Sequence, residues 1–332
     1  MLPHCKRTLA MTGTAAIAGL FLAACSNDPG EDAATTADDS TPHVVATTTQ
    51  IGSLAEQITA CGGGETQTLM SVGDDPHQFE ASSSQIADMV TADVVISNGL
   101  GLESSMQRSI DNAVSDGAEL LELTPELDPL PYSTDHDHDH DHDHEEDEHD
   151  EAEHGHDHGS YDSHVWMDVS RMADGAELIG EEIATAVGDD AYVACGEEVA
   201  DDLRDVDAKI EEILADVETP RLVTDHAAYG YFADRYGVEI SGVVIPGGST
   251  DAEPSSQDLA DLSTLLNDEG ADALVTSKAN TNRLITALAE ETGNDVPVIE
   301  LYESGIGEPG SGAETYQDAM LYNANELADA LQ

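Results

Sequence analysis

Along residues 44–301, short apolar and β-branched runs alternate with longer amphipathic stretches, the pattern of βα units that feed a parallel sheet. The first series predicts strands at 44–48, 68–72 and 93–97, with helices at 51–60, 83–91 and 103–115. The second predicts strands at 221–224, 239–245, 273–276 and 296–301, helices at 227–236, 256–267 and 282–292, and a closing helix at 314–331. Two α/β lobes follow, one over 43–189 and one over 219–332. Between them, 190–218 has few helix breakers, and Val199, Leu203, Val206, Ile210, Ile213 and Leu214 recur at three- and four-residue steps. This predicts one helix of up to 28 residues, about 40 Å at 1.5 Å per residue. It either braces both lobes as a strut or lies on the surface of one.

The chain start breaks this pattern. Lys6 and Arg7 precede an almost wholly apolar or small run, 9–24, shorter than the ~20 residues a spanning helix needs. It ends in Leu22-Ala23-Ala24-Cys25, which predicts a lipoprotein signal peptide over 1–24 and a lipid on Cys25. Residues 25–42 lack large apolar side chains and are expected to form a disordered linker. Past the signal no second apolar run reaches spanning length, so the expectation is an extracytoplasmic protein held to the cell membrane by its lipid anchor.

Composition sharpens this reading. Lys and Arg number 10 against 70 Asp and Glu, for a formal charge of −60; loss of 1–24 removes two bases and no acids, giving −62. Nucleic acid is thereby an unfavourable partner. A charge this large on a chain of ordinary apolar content suits a surface kept soluble in high salt, where repulsion is screened within a few Å. Beyond Cys5 and Cys25 the cysteines are Cys61 and Cys195, an even pair in an oxidising compartment, expected to form a disulfide or else to remain two thiols.

Nine of the 14 histidines fall in one low-complexity acidic segment, 135–158: His136, His138, His140, His142, His144, His149, His154, His156 and His158. Nothing in it can build a core. The composition is that of a disordered loop collecting metal ions weakly and multidentately, with affinity falling below about pH 6 as imidazoles protonate.

The scattered histidines carry the sharper signal. His43 stands at the linker-to-strand junction and reads as incidental. His77, in Asp75-Pro76-His77-Gln78-Phe79, follows a predicted strand and precedes a helix, the edge of a sheet where α/β folds place ligands. His226, in Thr224-Asp225-His226-Ala227-Ala228-Tyr229, occupies the equivalent place in the second lobe, and His164 lies where the chain leaves the acidic segment and begins a helix. Glu303 ends the last predicted strand on the edge that carries His226. Three imidazoles and a carboxylate make a complete shell of the borderline kind that Zn(II) favours.

The segments Asp75 to Glu80, Ser97-Asn98-Gly99-Leu100-Gly101-Leu102-Glu103, His164-Val165-Trp166-Met167-Asp168, His226 to Phe232 and Tyr316 to Asn323 together resemble the metal-binding solute receptors of ABC transporters, the zinc and manganese uptake lipoproteins. The resemblance covers nearly all of 44–331. It implies two lobes joined by a long rigid helix, with one metal in the cleft between them held by His77 and His164 from the first lobe and His226 and Glu303 from the second. It also implies a monomer that hands its ion to an ABC permease. Manganese members carry a carboxylate at the position of His226, and zinc members an acidic His-rich loop, so the resemblance points to Zn(II). The family's fourth ligand is usually Asp; here Glu303, Glu300 or a water could complete the shell. Two other functions stay open: a zinc hydrolase, although no His-Glu-x-x-His motif occurs, and a surface adhesin or metal buffer that serves no transporter.

Overall fold

In the computed structural model, which describes residues 41–132 and 161–332 apart from 246, 251, 253, 269, 280, 281 and 292–295, the central strands are the ones whose side chains are apolar on both faces. The first lobe contains β1 (His43–Ala46), α1 (Thr49–Gly62), β2 (Glu65–Thr68), α2 (Ser83–Thr91), β3 (Val94–Ser97), α3 (Gln107–Asp116), β4 (Glu119–Glu122) and α4 (Val169–Val187). α5 (Ala191–Leu214) follows. The second lobe contains β5 (Arg221–His226), α6 (Gly230–Tyr236), β6 (Glu239–Ile245), α7 (Ser256–Asp268), β7 (Ala273–Ser277), α8 (Arg283–Glu291), β8 (Val298–Leu301) and α9 (Tyr316–Leu331). Each lobe has one four-stranded parallel sheet, in the orders β2-β1-β3-β4 and β6-β5-β7-β8. The repeated order puts a topological switch point between β1 and β3 and another between β5 and β7, where open α/β sheets bind ligands beyond the strand C-termini.

Several elements differ from the sequence pattern. The strand expected at 68–72 is displaced: β2 is the polar Glu65–Thr68. Leu69 and Met70 instead continue beside β1 and donate their amides to Ala46 and Thr47. β4 lies in the predicted first lobe without a strand having been expected there, and α4 follows the helix start expected at His164, its extent not given by apolar patterning. Residues 1–24, Cys25, most of the 25–42 linker and the nine-histidine segment lie outside the described residues.

α5 packs on α1 and α4 of the first lobe and on α6 and α9 near the second, so it contacts both lobes. Its crossing with α4 depends on two glycines. A Cβ on Gly180 would lie 2.6 Å from the Tyr192 carbonyl oxygen, and one on Gly196 would lie 2.7 Å from that of Ala176. One apolar core runs without a break from β1 and β3 through α4 and α5 to β5, β7, β8 and α9. Each lobe adds a smaller core on its sheet's other face. A shared core resists wide opening, because separating the lobes would expose apolar surface, and it favours small movements at the cleft.

Cys61 in α1 and Cys195 in α5 are joined by a disulfide, with Cα atoms 5.9 Å apart and a sequence separation of 134. Closing a loop of that length in the unfolded chain is worth about 5 kcal/mol in the chain-entropy treatment. Replacing both cysteines with alanine is expected to lower the melting temperature by roughly 10 °C, as read by calorimetry of the oxidised and double-alanine proteins.

Candidate metal centre

β5 runs to the switch point of the second sheet and ends on His226, whose side chain is buried. The loop after β2 brings in His77. His164 caps a single 3-10 turn, Val165–Met167, after which Asp168 caps α4 by accepting the amides of Ser170 and Arg171. The three imidazoles come from separate stretches of chain yet meet, with ring centroids 5.2 Å (His77 and His164), 5.4 Å (His164 and His226) and 5.9 Å (His77 and His226) apart. One nitrogen from each lies within 4.8 Å of the other two. Their relative exposures are 6 %, 0 % and 2 % for His77, His164 and His226, so the cluster is shielded from bulk water.

Carboxylates set which nitrogens face inward. Asp162 Oδ1 accepts from His164 Nδ1 at 2.7 Å, and Asp225 Oδ1 accepts from His226 Nδ1 at 3.0 Å. Because a carboxylate only accepts, each Nδ1 carries its proton and each Nε2 faces the cluster. His164 Nε2 is 3.2 Å from His77 Nε2. Asp225 is itself held by the Thr276 hydroxyl and the Ser277 amide, both donating to Oδ2.

Glu303, 1 % exposed, joins the cluster through His226. Its Oε1 is 3.2 Å from His226 Nε2, an ion-pair distance, yet that nitrogen has no aligned hydrogen bond. A nitrogen and an oxygen side by side, aimed past each other, suit two ligands that flank a cation. Oε2 accepts from the Ser304 hydroxyl at 2.8 Å. The Glu303 carbonyl accepts from Trp166 Nε1 at 2.7 Å and from Gln50 Nε2 at 3.3 Å, so first-lobe side chains hold this second-lobe residue. Glu300 does not reach the cluster: its half-exposed side chain sits 4.0 Å from Lys278 Nζ.

Burial alone would push the His226 pKa down, but the Glu303 charge and the bond to Asp225 outweigh it and raise it well above 6.5. Burial likewise pushes Glu303 up, yet the His226 cation, helped by His164 and Ser304, lowers it to about 2. Without metal the two form a buried ion pair.

The cluster therefore brings His77, His164 and His226 together, with Glu303 set against His226, while His43 stands apart at the start of β1. Sequence reasoning missed Asp162 and Asp225, the carboxylates behind two of the imidazoles. Their signal was present, since one lies two residues before His164 and the other immediately before His226. A cavity of about 180 Å³, lined by Asp75, Asp225, His226, Thr250, Ser277 and Glu303 among others, adjoins the cluster on its second-lobe side.

The family model described as "zinc-uptake complex component A periplasmic" matches residues 44–330. The manganese-binding lipoprotein MntA of Halalkalibacterium halodurans is 25% identical over 95% of this chain and 96% of its own. The high-affinity zinc uptake system protein ZnuA of Bacillus subtilis is 28% identical over 96% and 97%. Among solved structures, the periplasmic zinc-binding protein TroA of Treponema pallidum superposes with a TM-score of 0.72 at 23% identity, covering 88% of this chain and 99% of that one, a likeness of fold.

Proposed function

Since this chain belongs to the family of periplasmic zinc-uptake component A proteins, we propose that it captures a divalent metal ion outside the cytoplasm and delivers it to the permease of an ABC importer, and that the ion is Zn(II). The reading rests on one observation: three buried imidazoles with ligand nitrogens within 4.8 Å of one another, beside the Glu303 carboxylate. Relatives named for manganese and for zinc both match, so the metal is argued from the donors. Imidazole suits zinc, whereas manganese prefers carboxylate, carbonyl and water. Three nitrogens and one oxygen, nearly sealed from solvent, fit a desolvated tetrahedral ion.

Capture requires no catalysis. Four protein ligands close the shell and leave no position for an activated water, which separates this site from hydrolytic zinc. The chain acts as a monomer, held at the membrane by a lipid on Cys25 after removal of 1–24, with 25–42 as its tether. The segment 135–158 gathers ions weakly and raises their local concentration. Its flanks are placed near the site: Pro131 and Tyr161 form a β-bridge, and Asp162, which orients His164, comes next.

Competitive titration with Zn(II) and Mn(II) tests the metal and the ligands together. The full chain is expected to bind one Zn(II) tightly and more ions weakly, and deletion of 135–158 to remove only the weak ones. A preference for Mn(II) would refute the metal; loss of the tight site in the deletion would refute the four ligands.

A further inference from the structure

Gly99, Leu100 and Gly101 form a run of three residues in the left-handed region, with φ of 82°, 51° and 80°. Two glycines adopt this freely, but Leu100 does not, and a non-glycine residue stays there only where its surroundings over-determine it. The surroundings here are a buried carboxylate. Glu103, 2 % exposed, folds back over the turn: its Oε1 accepts the Asn98 amide at 2.7 Å and the Thr47 hydroxyl at 2.7 Å, and its Oε2 accepts the Gly99 amide at 3.1 Å. The clamp ties the C-terminal ends of β1 and β3 together at the first sheet's switch point.

The residue at the base of the turn reaches the chain that carries His164. Asn98, 1 % exposed, donates from Nδ2 to the Ser163 carbonyl at 2.8 Å, and Ser163 sits between Asp162 and His164. Asp162 then accepts both the backbone amide and the Nδ1 proton of His164.

We infer that Asn98, held by the Glu103 clamp across the left-handed turn, is a positioning residue that sets His164 for metal binding through its bond to the Ser163 carbonyl. The strain at Leu100 is the conformational cost of bringing Glu103 onto Asn98. Removing the Asn98 amide takes its donor from the Ser163 carbonyl and leaves the Tyr231 hydroxyl on the Asp162 carbonyl, so the imidazole is held less narrowly while all four ligands remain. This inference rests on the four-ligand reading above.

Asn98→Ala and Asn98→Asp test it in the full chain. Each is expected to weaken Zn(II) binding about 10- to 100-fold, the range found for groups behind metal ligands, while the metal-free protein keeps its circular dichroism. The Co(II) complex, whose visible bands are intense in four-coordinate geometry, should lose intensity. Glu103→Gln, which keeps the shape but removes an acceptor, should shift both readouts the same way and carries the test if the Asn98 variants do not fold. Affinities within twofold of the parent with an unchanged Co(II) spectrum, in folded variants, would overturn the inference. Absence of tight Zn(II) binding in the unmodified chain would instead overturn the function proposed above.

Discussion

His226→Ala is expected to abolish tight Zn(II) binding, weakening affinity by more than the roughly 100-fold limit for groups behind the ligands, because a ligand itself is lost. Two effects add. The substitution deletes a second-lobe nitrogen of the cluster, and it removes the largest influence holding Glu303 near a pKa of about 2. Burial then drives Glu303 toward its neutral form, a poor ligand, so the second lobe loses much of its hold on the ion. The metal-free protein should also melt earlier, because Asp225 loses the His226 Nδ1 donor, but by less than the roughly 3–5 kcal/mol of an uncompensated buried charge, since Glu303 neutralises. His226→Asp keeps a ligand but exchanges nitrogen for oxygen, and is expected to narrow the preference for Zn(II) over Mn(II). His43→Ala should leave affinity unchanged. Isothermal titration of the three variants, with a thermal melt of metal-free His226→Ala, checks all of this; tight Zn(II) binding by His226→Ala would remove His226 from the shell.

How far such a site is legible in sequence depends on where each side chain's constraint comes from. β1, β3, β5 and β7 were legible because they are buried on both faces and therefore read as continuous apolar runs, as in Val94–Ser97 and Ala273–Ser277. The edge strands of the first sheet carry no such signal: β2 reads Glu-Thr-Gln-Thr and β4 reads Glu-Leu-Leu-Glu, sequences that suit a solvated rim as well as a helix, whereas the second sheet's edges, β6 and β8, are apolar enough to read as strands. α4 was obscured for another reason. Gly175 and Gly180 interrupt its helical pattern, and Gly180 is there because α5 passes too close for any side chain.

The periodicity of α5 predicted a helix but not what it packs against, since an apolar stripe fits one lobe or two. The structure gives it neighbours from both. The four candidate ligands were found by residue type, strand-end position and resemblance. The choice between Glu303 and Glu300 was not legible, because both flank the end of β8, and only their burial separates a side chain in the cluster from one near Lys278. Asn98 and Glu103 act through hydrogen bonds to Ser163 and Thr47, far away in sequence, and no local pattern announces such bonds, whereas Asp162 and Asp225 stand next to the imidazoles they hold.

Zinc binding is expected to release a proton near neutral pH, and the two states of the protein should respond to pH in opposite directions. In the metal-free pair His226 has a raised pKa, so its contribution to stability is complete below about 6.5 and is lost as pH rises through the higher folded value. Glu303 has a lowered pKa, so its contribution is complete above about 4.5 and is lost only as pH falls through about 2. The metal-free protein therefore gains most from the pair between about pH 4.5 and 6.5 and loses stability toward alkaline pH. A metal ion, in contrast, must displace the His226 proton, so below the folded value of His226 the logarithm of affinity should rise by one per pH unit on account of that proton. The rise in melting temperature on adding Zn(II) should accordingly widen from pH 5 to pH 8, as metal-free stability falls and occupancy strengthens. Calorimetric titration at pH 7 in buffers of different ionisation enthalpy measures the released proton directly, and paired melts across the pH range measure the divergence. No proton release at pH 7, together with a melting increment independent of pH, would mean that the His226 and Glu303 pair is not where the metal binds.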